Sequence, residues 1–260
     1  MGWGDILMGM GEALKSYNET GQRVVFPENR VFSYNINWRQ AYQNINYIIS
    51  KDEIVENEDV VYFEDGKDFT KYIDWNNSTN KKFHFLPYRP IPAELKFNLI
   101  VYEKLTILKR RLGEFIFIEP HVKNGVSKLN KDWGFENFQS LVNRVDAKFV
   151  QPNYGKPLLK GAIPITTAGF LDAAAILSIS KTSVMNEGGL MHAAAAVNIP
   201  SVIIFGGYIS PNNTGYEMHK NIHVKGSPCG MRSECLHCKK VMDQIKVKKV
   251  ESKVEALLKR

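Results

Sequence analysis

Cysteine is scarce in this chain of 260 residues: there are three, Cys229, Cys235 and Cys238. An odd number confined to one short segment excludes the disulfide framework of a small secreted domain. Long apolar runs are also missing. No stretch approaches the ~20 residues that a membrane-spanning helix needs. The N-terminus lacks the basic-then-apolar order of a secretory leader, because Asp5 and Glu12 interrupt it. These absences predict a cytoplasmic protein with no transmembrane segment. Low-complexity tracts and short-period repeats are absent as well. Hydrophobic residues at 44% and charged residues at 23% exclude disordered and fibrous chains. The length allows one large domain or two of about 110–150 residues.

Charge is present but uneven. Residues 1–112 hold 15 basic and 15 acidic side chains, so the whole formal excess of +7 lies in residues 113–260. Residues 239–260 alone hold 8 basic against 3 acidic. A basic half suits an anionic ligand such as a nucleotide, nucleic acid or lipid head group, and equally a solvated lysine-rich helix.

Strand and helix patterns alternate along the chain. In the first half, residues 2–14 read as a glycine loop running into a helix, 22–27 and 59–63 as strands, and 38–49 and 96–111 as helices. The last of these places Phe97, Ile100, Val101, Leu105 and Leu108 on one side. A new pattern starts at Gly113. The apolar run 115–118, closed by Glu119-Pro120, suits a strand buried on both faces. Helix 135–145, strand 148–151, helix 169–179, strand 183–185, helix 189–197, strands 201–205 and 221–224 and a basic C-terminal helix follow. Such alternation argues for parallel sheets covered by helices. The reading is two α/β domains, 1–112 and 113–245, with a basic helix at 246–260.

The stretch most suggestive of chemistry is 184–196. A strand ends, Glu187, Gly188 and Gly189 follow, and an alanine-rich helix begins at Leu190-Met191-His192. Paired glycines let a ligand approach the backbone, and a helix start favours an anion such as a diphosphate. Glu187 can accept from sugar hydroxyls, and His192 can donate to a phosphate. A tight turn with a packed histidine accounts for the same residues.

Four spaced features stand around it: Gly2-Trp3-Gly4-Asp5 at the N-terminus, Lys131-Asp132-Trp133 after the Glu119-Pro120-His121 strand exit, the 184–196 stretch, and Phe205-Gly206-Gly207 with Pro211 and Gly215, followed by the cysteines. Their order resembles glycosyltransferase family 9, the heptosyltransferase-like enzymes. The resemblance implies a GT-B-like α/β fold: two Rossmann-like domains with parallel sheets facing across a cleft. The family carries a strand ahead of its G-x-G-D loop, whereas Gly2 here follows Met1 directly, so the expectation is either a reduced, rearranged N-terminal domain or a sequence that begins at an internal methionine. Asp5 would be the general base. Lys131 would neutralise the leaving diphosphate. Glu187, Gly188, Gly189, Leu190, Met191 and His192 would hold the donor. The family has Asp at the position of Glu187 and Ser or Thr at that of Gly188.

What the resemblance implies is inverting transfer from a nucleotide-sugar donor to a saccharide or glycolipid hydroxyl, without metal or other cofactor. A hydroxymethylated DNA base is a second acceptor class, and peripheral membrane contact is compatible with the basic half. A non-catalytic nucleotide-sugar or nucleic-acid binding module and a sugar-nucleotide epimerase are the alternatives. Cys229, Cys235, His237 and Cys238 supply four zinc-type donors, but the adjacency of His237 and Cys238 strains joint ligation, and the resemblance, in which family members carry cysteines here too, implies a structural role without metal. Trp3 and Trp133 border the expected cleft or belong to core. Tyr208 and Tyr216 contact the donor base or pack. His84, His219 and His223 are read as incidental.

Overall fold

Short apolar segments sort into two parallel sheets in the computed structural model, which describes residues 2–27, 39–64, 66–122, 128–224 and 228–259. Trp38 and the side chains of Lys128 and Leu129 lie outside that description. The chain opens with helix α1 (Trp3–Thr20), closed by Gly21 in the left-handed region. Then come β1 (Arg23–Val25), α2 (Arg39–Tyr42), β2 (Ile48–Ile49) and β3 (Val60–Tyr62), followed after a long irregular stretch by α3 (Leu99–Leu112). The three strands form a parallel sheet in the order β2-β1-β3.

The second half runs β4 (Ile116–Glu119), α4 (Lys128–Lys131), α5 (Phe135–Arg144), β5 (Phe149–Asn153), β6 (Ala162–Thr166), α6 (Phe170–Ser178), β7 (Thr182–Asn186), α7 (Gly189–Ala196), β8 (Ser201–Ile204), α8 (Pro211–Thr214), β9 (Lys220–Ile222), α9 (Leu236–Met242) and α10 (Val247–Leu258). Its six strands are all parallel, in the order β6-β5-β4-β7-β8-β9. Strands β4, β7 and β8 are buried along their whole length, as the unbroken apolar runs require. One face packs on Phe138 and Leu141 of α5 and Val250, Val254 and Leu257 of α10. The other packs on Ala173 and Leu177 of α6 and Met191 and Ala194 of α7. Strand order turns back between β4 and β7. In open sheets of this kind the crevice outside the strand ends at that switch point is where ligands bind.

The first sheet shares its core with helices of the second half. Ile6, Leu7 and Met10 of α1 belong to the same apolar cluster as Val24 and Ile48 of the first sheet and Ala174 and Ala193 of the second half. Helix α1 thus packs against both halves.

Several expectations change. The opening glycines form no loop: Gly4, Gly9 and Gly11 lie inside α1. A Cβ on Gly11 would collide with the Ile91 carbonyl, and one on Gly9 with the Phe69 ring. These glycines answer close packing rather than a turn. The helix expected over 38–49 stops at Tyr42, and Ile48 and Ile49 become β2 against β1. Ile100 faces outward, not with Leu105. Strand β6 and helix α9 were not anticipated.

Candidate functional site

The switch point places the ends of β4 and β7 side by side, with Glu119 in register with Met185. Chain exits from both strands, the start of α7, the end of α4 and the start of α1 meet there.

Asp5 lies in the first turn of α1. Its Oδ2 accepts from the Gly2 N–H at 2.8 Å, and its Oδ1 from the Tyr72 hydroxyl at 2.9 Å. Burial raises its pKa; those two hydrogen bonds and the charge of Lys131 oppose the rise. The same environment raises the Tyr72 phenol well above its usual value, first by burial and then by the Asp5 charge, so Tyr72 stays a donor.

Lys131 closes α4 and reaches Glu187, with Nζ to Oε2 at 2.8 Å and the lysine side chain 22% exposed. Burial works against its charge, but Glu187, Tyr208 and Asp5 outweigh that and hold its pKa above the ordinary value. Its ammonium also sits over the Tyr208 ring, 4.8 Å from the centroid. The lysine is placed by its neighbours. Asn130 donates to the Met231 and Ser233 carbonyls at 2.8 and 2.7 Å and accepts from the Cys235 N–H at 2.9 Å. Trp133 donates its backbone N–H to Asn186 and its indole N–H to the Ile245 carbonyl. Trp133 is therefore core, and a peg for the α4–α5 turn.

The double glycine divides its work. A Cβ on Gly188 would meet nothing within 4 Å, so the backbone is open there. Gly189 is covered: its Cβ would meet Phe170 at 3.0 Å and Trp3 at 3.4 Å. Trp3 and Phe170 stack with centroids 4.7 Å apart. Leu190 packs half-buried between two core clusters. Met191 is wholly inside the core, and its N–H bonds the Gly188 carbonyl at 3.2 Å.

His192 is buried, with Nδ1 2.9 Å from the Tyr216 hydroxyl. Burial depresses its pKa to about 3, so the ring is neutral. A Cβ on Gly4 would stand 3.0 Å from the ring. His192 and Gly4 therefore fit α7 against α1. Tyr216 is consumed by this contact, and His219 links the Ser201 N–H to the Met191 carbonyl.

Two residues at the site carry no motif. Tyr72 comes from an irregular segment far along the chain and shows no signal in the sequence. Glu119 is buried at the end of β4, bonded by the Tyr154 hydroxyl and by the His121 N–H at 2.7 Å. Burial pushes its carboxyl up to about 7. An acid closing an apolar strand before Pro120 was the signal available.

Beyond α8 lies a second cluster. The ligand atoms of Cys229, Cys235, His237 and Cys238 all lie within 4.8 Å of one another. The adjacency of His237 and Cys238 does not keep them apart. Cys229 Sγ is 2.8 Å from Cys238 Sγ and 3.8 Å from Cys235 Sγ. Hydrogen bonding from Cys238, with help from the Met231 N–H, pulls the Cys229 thiol below its ordinary value.

No family model and no curated protein matches this chain. Solved structures do. Similar chains include the iron-containing dodecameric glycosyltransferase TibC from enterotoxigenic E. coli, at 13% identity and TM-score 0.61 over 100% of this chain and 74% of that one. E. coli heptosyltransferase WaaC with ADP-2-deoxy-2-fluoro heptose matches at 15% identity and TM-score 0.51, over 98% and 97%. A glycosyl transferase family 9 protein from Veillonella parvula matches at 18% and 0.50 over 64% of this chain; the chain spans 53% of its length. The fold is GT-B-like. Asp5, from the first half, feels the charge of Lys131, from the second, which is itself paired with Glu187. No described helix is long and apolar enough to cross a membrane.

Proposed function

We propose that the protein is an inverting glycosyltransferase that moves a sugar from a nucleotide-sugar donor to an acceptor hydroxyl. One observation carries this reading: a half-buried carboxylate on α1, Asp5, lies within reach of the charge of Lys131 at the strand switch point, beside an open glycine backbone at Gly188. Asp5 takes the proton from the acceptor hydroxyl. The oxygen attacks the anomeric carbon opposite the diphosphate, the bond to the diphosphate oxygen breaks, and configuration inverts. A sugar hydroxyl is a weak nucleophile and needs a positioned base. Negative charge grows on the departing diphosphate, where Lys131 and the N–H groups around Gly188 stabilise it. Glu187 aims Lys131 and offers its carboxylate to sugar hydroxyls. Leu190, Met191 and His192 act by holding the turn rather than by touching the donor.

Solved complexes of similar folds contain ADP-heptose or its analogue, so ADP-heptose is the donor to test first, with a saccharide or glycolipid acceptor. ADP release that needs acceptor, falling ~100-fold or more in Asp5→Asn with donor binding retained, supports the reading. Donor binding without turnover in wild type and variant makes the protein a binding module. Donor conversion without acceptor makes it an epimerase. Salt-sensitive transfer to hydroxymethylated duplex DNA would move the acceptor to nucleic acid.

We also propose that Cys229, Cys235, His237 and Cys238 hold a structural metal ion. Three sulfurs and one imidazole suit iron or zinc in a closed tetrahedral site, and TibC is described as iron-containing. Such an ion would brace Lys131, because Asn130 ties α4 to the cysteine segment. Elemental analysis of the purified protein should find one ion per chain, lost with a falling melting temperature in Cys235→Ser. A metal-free protein of unchanged stability would refute it.

A further inference from the structure

Helix α3 carries apolar side chains on the wrong side. Leu105 and Leu112 face the core, with Val101 and Leu108 partly covered beside them. On the opposite face Leu99, Ile100 and Ile107 are 80%, 63% and 67% exposed. At helical spacing, Ile100, Lys104, Ile107 and Arg111 form one outward row, and Leu99, Glu103 and Arg110 the row beside it. Lys104, Lys109, Arg110 and Arg111 are all exposed, against one acid, Glu103. Among the described residues none of these four cations is in an ion pair, whereas Lys71, Lys131 and Arg144 each find a carboxylate.

A groove of about 550 Å³ runs along the same helix. Leu95, Phe97, Leu105 and Ile179 line it, together with Lys109 and Arg110. Helix and groove therefore repeat one chemistry, an apolar surface edged by positive charge.

We propose that this face docks on an anionic phospholipid bilayer. Exposed Leu and Ile flanked by Lys and Arg are the composition of a helix lying in the membrane interface, with its apolar side chains among the acyl boundary and its cations at the phosphates. Charge decides against a second copy of the chain. Two such faces opposed would set Lys104, Arg110 and Arg111 against the same three cations, with only Glu103 from each to offset them. The inference is independent of the transferase reading.

Co-sedimentation of the full chain with vesicles tests it. Wild type binds vesicles of phosphatidylcholine mixed with phosphatidylglycerol at low salt, binds pure phosphatidylcholine far more weakly, and is released by high salt. Arg110→Gln with Arg111→Gln lowers the partition coefficient about 25-fold, and Ile107→Ser lowers it about tenfold. Both variants alter exposed positions, and unchanged circular dichroism checks their fold; the salt series on wild type needs no variant. Absence of binding, equal binding to neutral and anionic vesicles, or variants that bind like wild type would overturn the proposal. So would a wild-type dimer that Ile107→Ser turns into a monomer, which would give the face to a second copy.

Discussion

Asp5 caps its own helix with one oxygen and holds the hydroxyl of a distant tyrosine with the other. Each carboxylate oxygen keeps a further lone pair, so neither contact prevents it from accepting a proton. Tyr72→Phe should cost about 1.5–3 kcal/mol, the usual range for a hydrogen bond to a charged group, measured by denaturant unfolding. It should also raise the Asp5 pKa further, which would shift the acid limb of a pH–rate profile upward.

Glu119 gives a prediction with a definite sign. Its folded-state value of about 7 stands above the ordinary 4.5 because of burial, despite help from Tyr154, His121 and Lys156. Between those values the native state keeps a proton that the unfolded chain has lost. Stability from this group is full below pH ~4.5 and declines until about pH 7, by roughly 3 kcal/mol at most. Glu119→Gln should lack this decline when melting temperature is followed across that range. Parallel curves for the two proteins would show that the carboxyl titrates normally.

At the scale of elements, the glycines of α1 and of the β7–α7 turn separate packing from access. Gly11→Ala drives a methyl into the Ile91 carbonyl and should destabilise by about 1–3 kcal/mol, seen as a lowered unfolding midpoint. Gly188→Ala meets open space in an extended backbone and should unfold like wild type. It should nevertheless weaken donor binding if the diphosphate approaches there.

The same elements show what was legible. The strands of the second half announce themselves, because β4, β7 and β8 are buried on both faces and need unbroken apolar runs. The β7–α7 turn was readable for the same reason: strand, glycines and alanine helix follow in order. Helix α1 misled, since glycines that serve close packing look like glycines that serve a loop. Residues 38–49 misled because Ile48 and Ile49 are too short a strand to show a period, and only pairing with Val24 and Val25 defines it. Strand β6 hid behind Pro164, which an edge strand tolerates. Tyr72 and the burial of Glu119 depend on contacts between distant segments, and no local pattern encodes those.

At the scale of the molecule, helix α1 and the segment 81–88 join the halves, the latter through Phe83 to Gly230, Tyr88 to Asn212 and Lys81 to Arg232. Helix α1 carries Asp5 and packs on α7 through Gly4 and His192, and on α6 through the Trp3–Phe170 stack. A second brace runs from the cysteine segment through Asn130 to Lys131. If the protein works as proposed, donor affinity is a property of the second half, and turnover a property of its junction with α1. Calorimetric titration of ADP-heptose into wild type and Lys131→Gln is the most direct test, with circular dichroism confirming that the variant is folded. Wild type should bind at low salt and the variant at least tenfold more weakly, because the diphosphate has lost its cation. Equal affinity in the two proteins, or no binding by wild type, would contradict the account.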